Sequence, residues 1–162
     1  MTGAVPLTIV LAGKISLVAL GLVASWLDVS KRRLPNWLSL LTLAAGLIVT
    51  GLSAGFSAVG SHLAHAAVAL LVGMVLFRFG VVGGGDAKFY AAIAAWFGWS
   101  GAAGLLLSVS LCGIAIFLGW FVWRRATKKP IRTPAKASDG DKLPYGLAIA
   151  AGGVIQYFVM AA

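Results

Sequence analysis

Charge is what this chain has least of. Only 10% of its 162 residues are charged, against about 25% in an ordinary soluble domain. Four are acidic, all of them aspartate: Asp28, Asp86, Asp139 and Asp141. Cysteine is nearly missing as well. The single Cys112 lies inside an apolar run, so no internal disulfide can form. Apolar and polar residues do not alternate in the long runs, which excludes a membrane β-barrel, where a two-residue period is obligatory.

Apolar surface is what the chain has in quantity. It is 60% hydrophobic, and its runs reach the roughly 20 residues needed to cross a hydrocarbon core. The expected fold class is all-α: one polytopic bundle of about six transmembrane helices, covering residues 1–162 as a single domain. A net charge of +9 raises the question of nucleic acid. The basic residues lie between apolar runs, however, where the positive-inside rule puts them, and nucleic acid is rejected as a partner. The lipid bilayer is the partner this composition implies. A cleaved signal peptide is disfavoured too, because Lys14 has an apolar run before it as well as after it.

Taken in order, the first span covers about Val5 to Leu27, with Lys14 inside it and snorkelling toward the outer face. The loop that follows carries Asp28, then Lys31, Arg32 and Arg33, then Leu34, Pro35 and Asn36. Pro35 disfavours helix at Leu34 and suits the first turn of the next helix. A second span runs from Asn36 to Ala54, followed by an uncharged outer loop, Gly51 to Ser61. The third covers about His62 to Gly80. His62 and His65 could share a helix face, but no carboxylate or cysteine is near them in sequence, and they read as interfacial histidines rather than metal ligands. A short fourth helix, Asp86 to Phe97, is too short to span untilted and should be shielded by its neighbours. After a break at Gly98 to Gly101, a fifth runs from Ala102 to Trp123. Residues 124–142 form a flexible basic segment drawn to anionic lipid, with Asp139 and Asp141 as surface charges. Pro144-Tyr145-Gly146 opens a sixth span that ends near Met160.

With the N-terminus outside, this order puts every basic residue except Lys14 on the cytoplasmic side. The same order brings Asp28 and Asp86 to one membrane face, although neither was used to build it. A carboxylate near a bilayer is costly, roughly 2.5–3.5 kcal/mol at the centre on insertion scales, so its default reading is functional. Two neighbouring aspartates cannot easily both ionise and tend to share a proton. The ionised member can deprotonate water while the protonated one polarises a peptide carbonyl. On residue chemistry alone, catalysis, proton-coupled transport and plain interfacial ion pairing all stay open.

Motifs narrow the choice. Asp28 followed by Lys31-Arg32-Arg33-Leu34-Pro35-Asn36 resembles the first motif of type IV prepilin peptidases. Gly83-Gly84-Gly85-Asp86-Ala87-Lys88 is similar to their second, GxGDxK, and Pro144-Tyr145-Gly146 to a third element. The resemblance implies an intramembrane aspartic endopeptidase of the bacterial inner membrane, with its active site facing the cytoplasm. It would remove the short basic leader of pilin or pseudopilin precursors. Asp28 and Asp86 would be the catalytic pair, Gly83 and Gly85 would shape the turn, and Pro35 and Asn36 match the motif. Lys88 matches it too, with holding the adjacent structure or tuning Asp86 as its possible roles. No metal and no cofactor is expected. The longer members' cytoplasmic segment with two CxxC pairs and an N-methyltransferase activity has no counterpart here, as in the short peptidases of tight-adherence (Flp-type) pilus systems. Other pilus-assembly proteins would be further partners. The alternatives are a proton-coupled carrier and a non-catalytic pilus or secretion assembly protein.

Overall fold

In a computed structural model, which describes residues 6–127 and 145–160, every regular element is helical. The helices are α1 (Leu7–Lys31), α2 (Asn36–Ala54), α3 (Phe56–Arg78), α4 (Gly84–Ala94), α5 (Ala102–Ala126) and α6 (Tyr145–Met160), with a 3₁₀ turn at Trp99–Gly101 before α5. Four of them, α1, α2, α3 and the run of the 3₁₀ turn into α5, are long and apolar enough to cross a membrane. At 16 residues α6 is about 24 Å long and falls short of a 30 Å core, and α4 at 11 residues covers only about 16 Å. Among the described residues the bundle thus has six helices, four of them long enough to span.

The long helices leave their large apolar side chains outward: Leu22, Leu40, Leu52, Leu71, Leu107 and Leu118 are all exposed. In water this would be a fault; in lipid, where tails are as apolar as leucine, it is a bundle surface. The core lies around α4. Phe89, Ile93, Ala94, Trp96 and Phe97 are buried among Leu17, Leu38, Leu105 and Ile149 from α1, α2, α5 and α6. The neighbours run α5, α6, α1, α2, α3 in an open ring, with α4 packed inside against α2, α3 and α6. The shielding expected for the short helix is therefore present.

Several boundaries differ from the sequence reading. The expected outer loop Gly51–Ser61 is helix on both sides of a turn at Gly55, whose φ of +83° suits glycine. A backbone at that depth has no water to bond, so even Gly- and Ser-rich sequence winds into helix. For the same reason α3 begins at Phe56 rather than His62, and α1 continues through Asp28 to Lys31. Arg32, in the left-handed region at φ 52°, ends α1 by donating its N–H to the Asp28 carbonyl. Helix α4 occupies Gly84–Ala94 rather than Asp86–Phe97, and α5 extends to Ala126, into the expected basic segment 124–142. Residues 128–142 of that segment, with Asp139 and Asp141, lie outside the described residues, as does Pro144.

Because α4 stops inside the bundle, the carbonyls of the turn that follows it need donors that lipid cannot supply. The two histidines of α3 provide them. His65, 4% exposed, has Nδ1 3.0 Å from the Phe97 carbonyl oxygen, so its ring carries the proton there. His62 Nδ1 lies 3.0 Å from the Ala95 carbonyl oxygen and 3.1 Å from Thr50 Oγ1. These residues are internal caps rather than interfacial groups, which corrects the sequence reading. Trp96 closes the same end by donating its indole N–H to the Thr42 carbonyl at 2.9 Å. Replacing His65 with leucine removes a buried donor and should cost about 1–3 kcal/mol. Thermal unfolding in detergent should show a lower Tm for His65→Leu than for His62→Leu, whose site is only half-buried.

Candidate active site

The first acidic residue stands at the end of a buried stripe. Gly13, Leu17, Gly21, Ala24 and Asp28 recur at three- and four-residue spacing along α1 and are all buried. Asp28 thus continues a packing face, with 7% of its surface exposed. Its Oδ2 accepts the Leu147 N–H at 3.3 Å. Leu147 is the third residue of α6, so this amide is among the four that the helix cannot use, and the positive end of the α6 dipole faces the carboxylate. Gly146 makes the approach possible. A Cβ there would stand 2.9 Å from both Cγ and Oδ2 of Asp28. The Tyr145-Gly146 step of the sequence is thus the seat of Asp28.

The second acidic residue sits in the first turn of α4, outside the four long spans. Gly83 is the residue before the helix, and Asp86 is third within it, so the carboxyl group folds back over the helix entrance. A Cβ on Gly83 would be 2.6 Å from Asp86 Oδ2, so glycine there leaves room for the carboxyl group in this position. Burial pushes the Asp86 carboxyl up from 3.8 to about 6, the negative charge of Asp28 pushes the same way, and the Gly83 backbone N–H opposes both. Leu34 lies against Gly85, the neighbour of Asp86, and against Gly146, which touches Asp28, so the two acids 58 positions apart (86 − 28) come to one corner of the bundle.

The segment 31–36 joins the two halves. Leu34 wedges between the two glycine-bearing helices. A Cβ on Gly85 would be 3.4 Å from Leu34 Cβ, and one on Gly146 would be 2.9 Å from Leu34 Cδ1. Pro35 is extended at ψ 146° and precedes α2 as its cap, one position earlier than a first-turn proline; its carbonyl accepts the Leu38 N–H. Asn36, the first residue of α2, accepts a hydrogen bond at 3.1 Å from Lys88 Nζ through its Oδ1. Lys88 therefore ties the α1–α2 turn to α4 and holds the adjacent structure, one of the two roles left open by the sequence. Leu34 and Leu147 were not singled out by the sequence reading. Only the apolar residue before Pro35 and the helix start after Gly146 hinted at them.

One face of this corner opens on a cavity of about 420 Å³, with Asp86 and Tyr145 at one end and His65 and Trp99 at the other. Its lining is otherwise almost wholly apolar. Among the described residues, no group of three or more His, Cys, Asp or Glu could hold a metal ion.

The type IV leader peptidase family matches residues 15–118, which include both aspartates. The chain belongs to this family. It is 30% identical over 148 residues to a prepilin leader peptidase/N-methyltransferase of Pectobacterium carotovorum subsp. carotovorum, a match that covers 88% of this chain and 49% of the relative. The chain thus spans about half the length of that curated relative. No solved structure matches it.

The upward shift of Asp86 has a signed consequence for stability. Between pH 4 and 6 the folded state holds a proton that the unfolded chain has lost, so wild-type stability falls as pH rises through that window and levels off above it. Asp86→Asn escapes this loss. It should be more stable than wild type at pH 8, by about 1–2 kcal/mol once partial exposure is discounted, and equal to it near pH 4. Denaturant unfolding in detergent at the two pH values checks this.

Proposed function

We propose that the protein is a prepilin leader peptidase: an intramembrane aspartic endopeptidase that removes a short basic leader from pilin or pseudopilin precursors. The observation that carries the proposal is the convergence of Asp28 and Asp86 on the corner built by Leu34, Gly85 and Gly146, in a chain of this family. In this reading the protein lies in the inner membrane with its N-terminus outside. Lys31, Arg32, Arg33, Arg78 and Lys88 then mark the cytoplasmic side, and the acid pair works at that face.

The division of labour follows from the surroundings. The Leu147 N–H and the start of α6 face the Asp28 carboxyl group, whereas burial and the charge of Asp28 push Asp86 toward its protonated form. Asp28 is therefore the base and Asp86 holds the shared proton. A water between them gives a proton to Asp28 as its oxygen bonds to the scissile carbonyl carbon. Asp86 gives its proton to the carbonyl oxygen, forming a neutral gem-diol. On collapse, the Asp28 proton passes to the leaving nitrogen and a diol proton returns to Asp86. The carbon–nitrogen bond breaks, leaving a carboxylic acid on the leader and an amine on the mature chain. The Lys88–Asn36 bond holds the two motifs in register during these steps.

Asp28→Asn and Asp86→Asn, each present at normal level, should leave the precursor uncut on a gel, and cleavage by wild type should persist in EDTA. Normal processing by either variant would end the assignment. Wild-type kcat/KM should also fall as pH rises above about 6, because ionisation of Asp86 leaves the pair without its proton.

A further inference from the structure

Five helices form an open ring around α4, and the ring lacks one position. Helix α3 packs on α2 and α4, while α5 packs on α6. Between α3 and α5 lies the 420 Å³ cavity, floored by α4 through Ala87 and Tyr90. Its outer end is bridged by the 3₁₀ turn Trp99–Gly101, which touches both α3 and α5. Its other end is Asp86.

The walls have a helical period. Val68, Val72 and Leu76 face the gap from α3 at four-residue spacing, and Ala102, Leu106 and Val109 face it from α5 at spacings of four and three. Such rows are the seams along which one helix packs on another. These seams have no partner among the described residues: Val72 is 53% and Leu106 58% exposed. A lipid tail would meet a matching apolar surface, but it needs no periodic ridges and would gain nothing from a carboxyl group at the end of its groove.

On the reading that this is a leader peptidase, we infer that the gap between α3 and α5 is the docking slot for the apolar helix of the precursor, with its cut end at Asp86. From Leu76 to His65 the slot is 11 residues deep, or about 16 Å, so it reads about the first three turns of that helix. The 3₁₀ turn makes the helix tilt outward beyond that depth. The slot, rather than the acid pair, then distinguishes a membrane precursor from any other peptide with the same cut site.

Two readouts test this separately from the catalytic reading. In the first, Asp86→Asn protein in vesicles is mixed with a precursor carrying a basic leader, a glycine and an apolar helix of about 20 residues, with a photoreactive residue in the second turn of that helix. Cross-links on residues 65–76 and 102–109 are expected, and no turnover is required. Cross-links confined to α1 and α2, or to lipid, would overturn the slot even if wild type cuts the precursor. Cross-links in the slot with no cleavage by wild type would leave the slot standing and remove the peptidase reading. In the second, Val72→Trp and Leu106→Trp fill the slot, with Leu41→Trp on the exposed face of α2 as control. Both slot variants should lower kcat/KM on the precursor at least tenfold and leave cleavage of a short leader peptide, ending a few residues past the cut, unchanged. Equal losses on both substrates, or no loss on the precursor, would contradict the inference.

Discussion

A helix of 11 residues cannot cross a lipid core, and the rest of this structure is arranged to accommodate one that does not try. The carboxyl end of α4 terminates inside the bundle, while its amino end opens beside the exposed Gly83. Its amino end is covered by its own carboxyl group, Asp86 folding over Gly83. The turn after its carboxyl end is met by His62 and His65, and Trp96 there donates its indole N–H to the Thr42 carbonyl. The surrounding helices supply apolar cover along its length. What this achieves is a carboxyl group held at the rim of a buried, glycine-lined corner, where burial alone raises its affinity for a proton.

The second carboxyl group reaches the same corner by a different route. Asp28 ends the packing stripe of α1 and is received by the start of α6, a helix more than a hundred residues later in the chain. Two helix starts, α4 and α6, thus converge on two acids. The turn 32–35 lies between them, with Leu34 as the wedge and Lys88–Asn36 as the tie. The Leu147 N–H and the start of α6 face Asp28, while burial and the charge of Asp28 push Asp86 toward its neutral form. An asymmetric pair of this kind is what acid–base hydrolysis at one peptide bond requires.

Much of this was legible in the sequence. The spans follow from run length, and α2 and the end of α6 fall at the expected residues, because apolar length in lipid leaves the backbone little choice but helix. The shared face of Asp28 and Asp86 followed from counting crossings. The Gly51–Ser61 stretch misled because glycine and serine mark loops in water, whereas in lipid they are ordinary helix residues that permit close packing. The histidines misled for a related reason. Their partners are backbone carbonyls more than thirty residues away, and no local pattern announces an unsatisfied carbonyl. The role of Lys88 depends on Asn36, 52 residues earlier, and that of Gly146 on the Asp28 carboxyl group, so each was visible only as a motif letter.

The central claim is that the pair holds one proton in the mildly acidic range and that Asp86 carries it. Infrared difference spectroscopy of the protein in vesicles reads this directly through the carbonyl stretch of a protonated carboxyl group. A single such band from the pair is expected at pH 5, lost as pH rises past about 6 and missing at pH 5 in Asp86→Asn. A band that survives in Asp86→Asn and vanishes in Asp28→Asn, or no protonated carboxyl from either residue at pH 5, would contradict it.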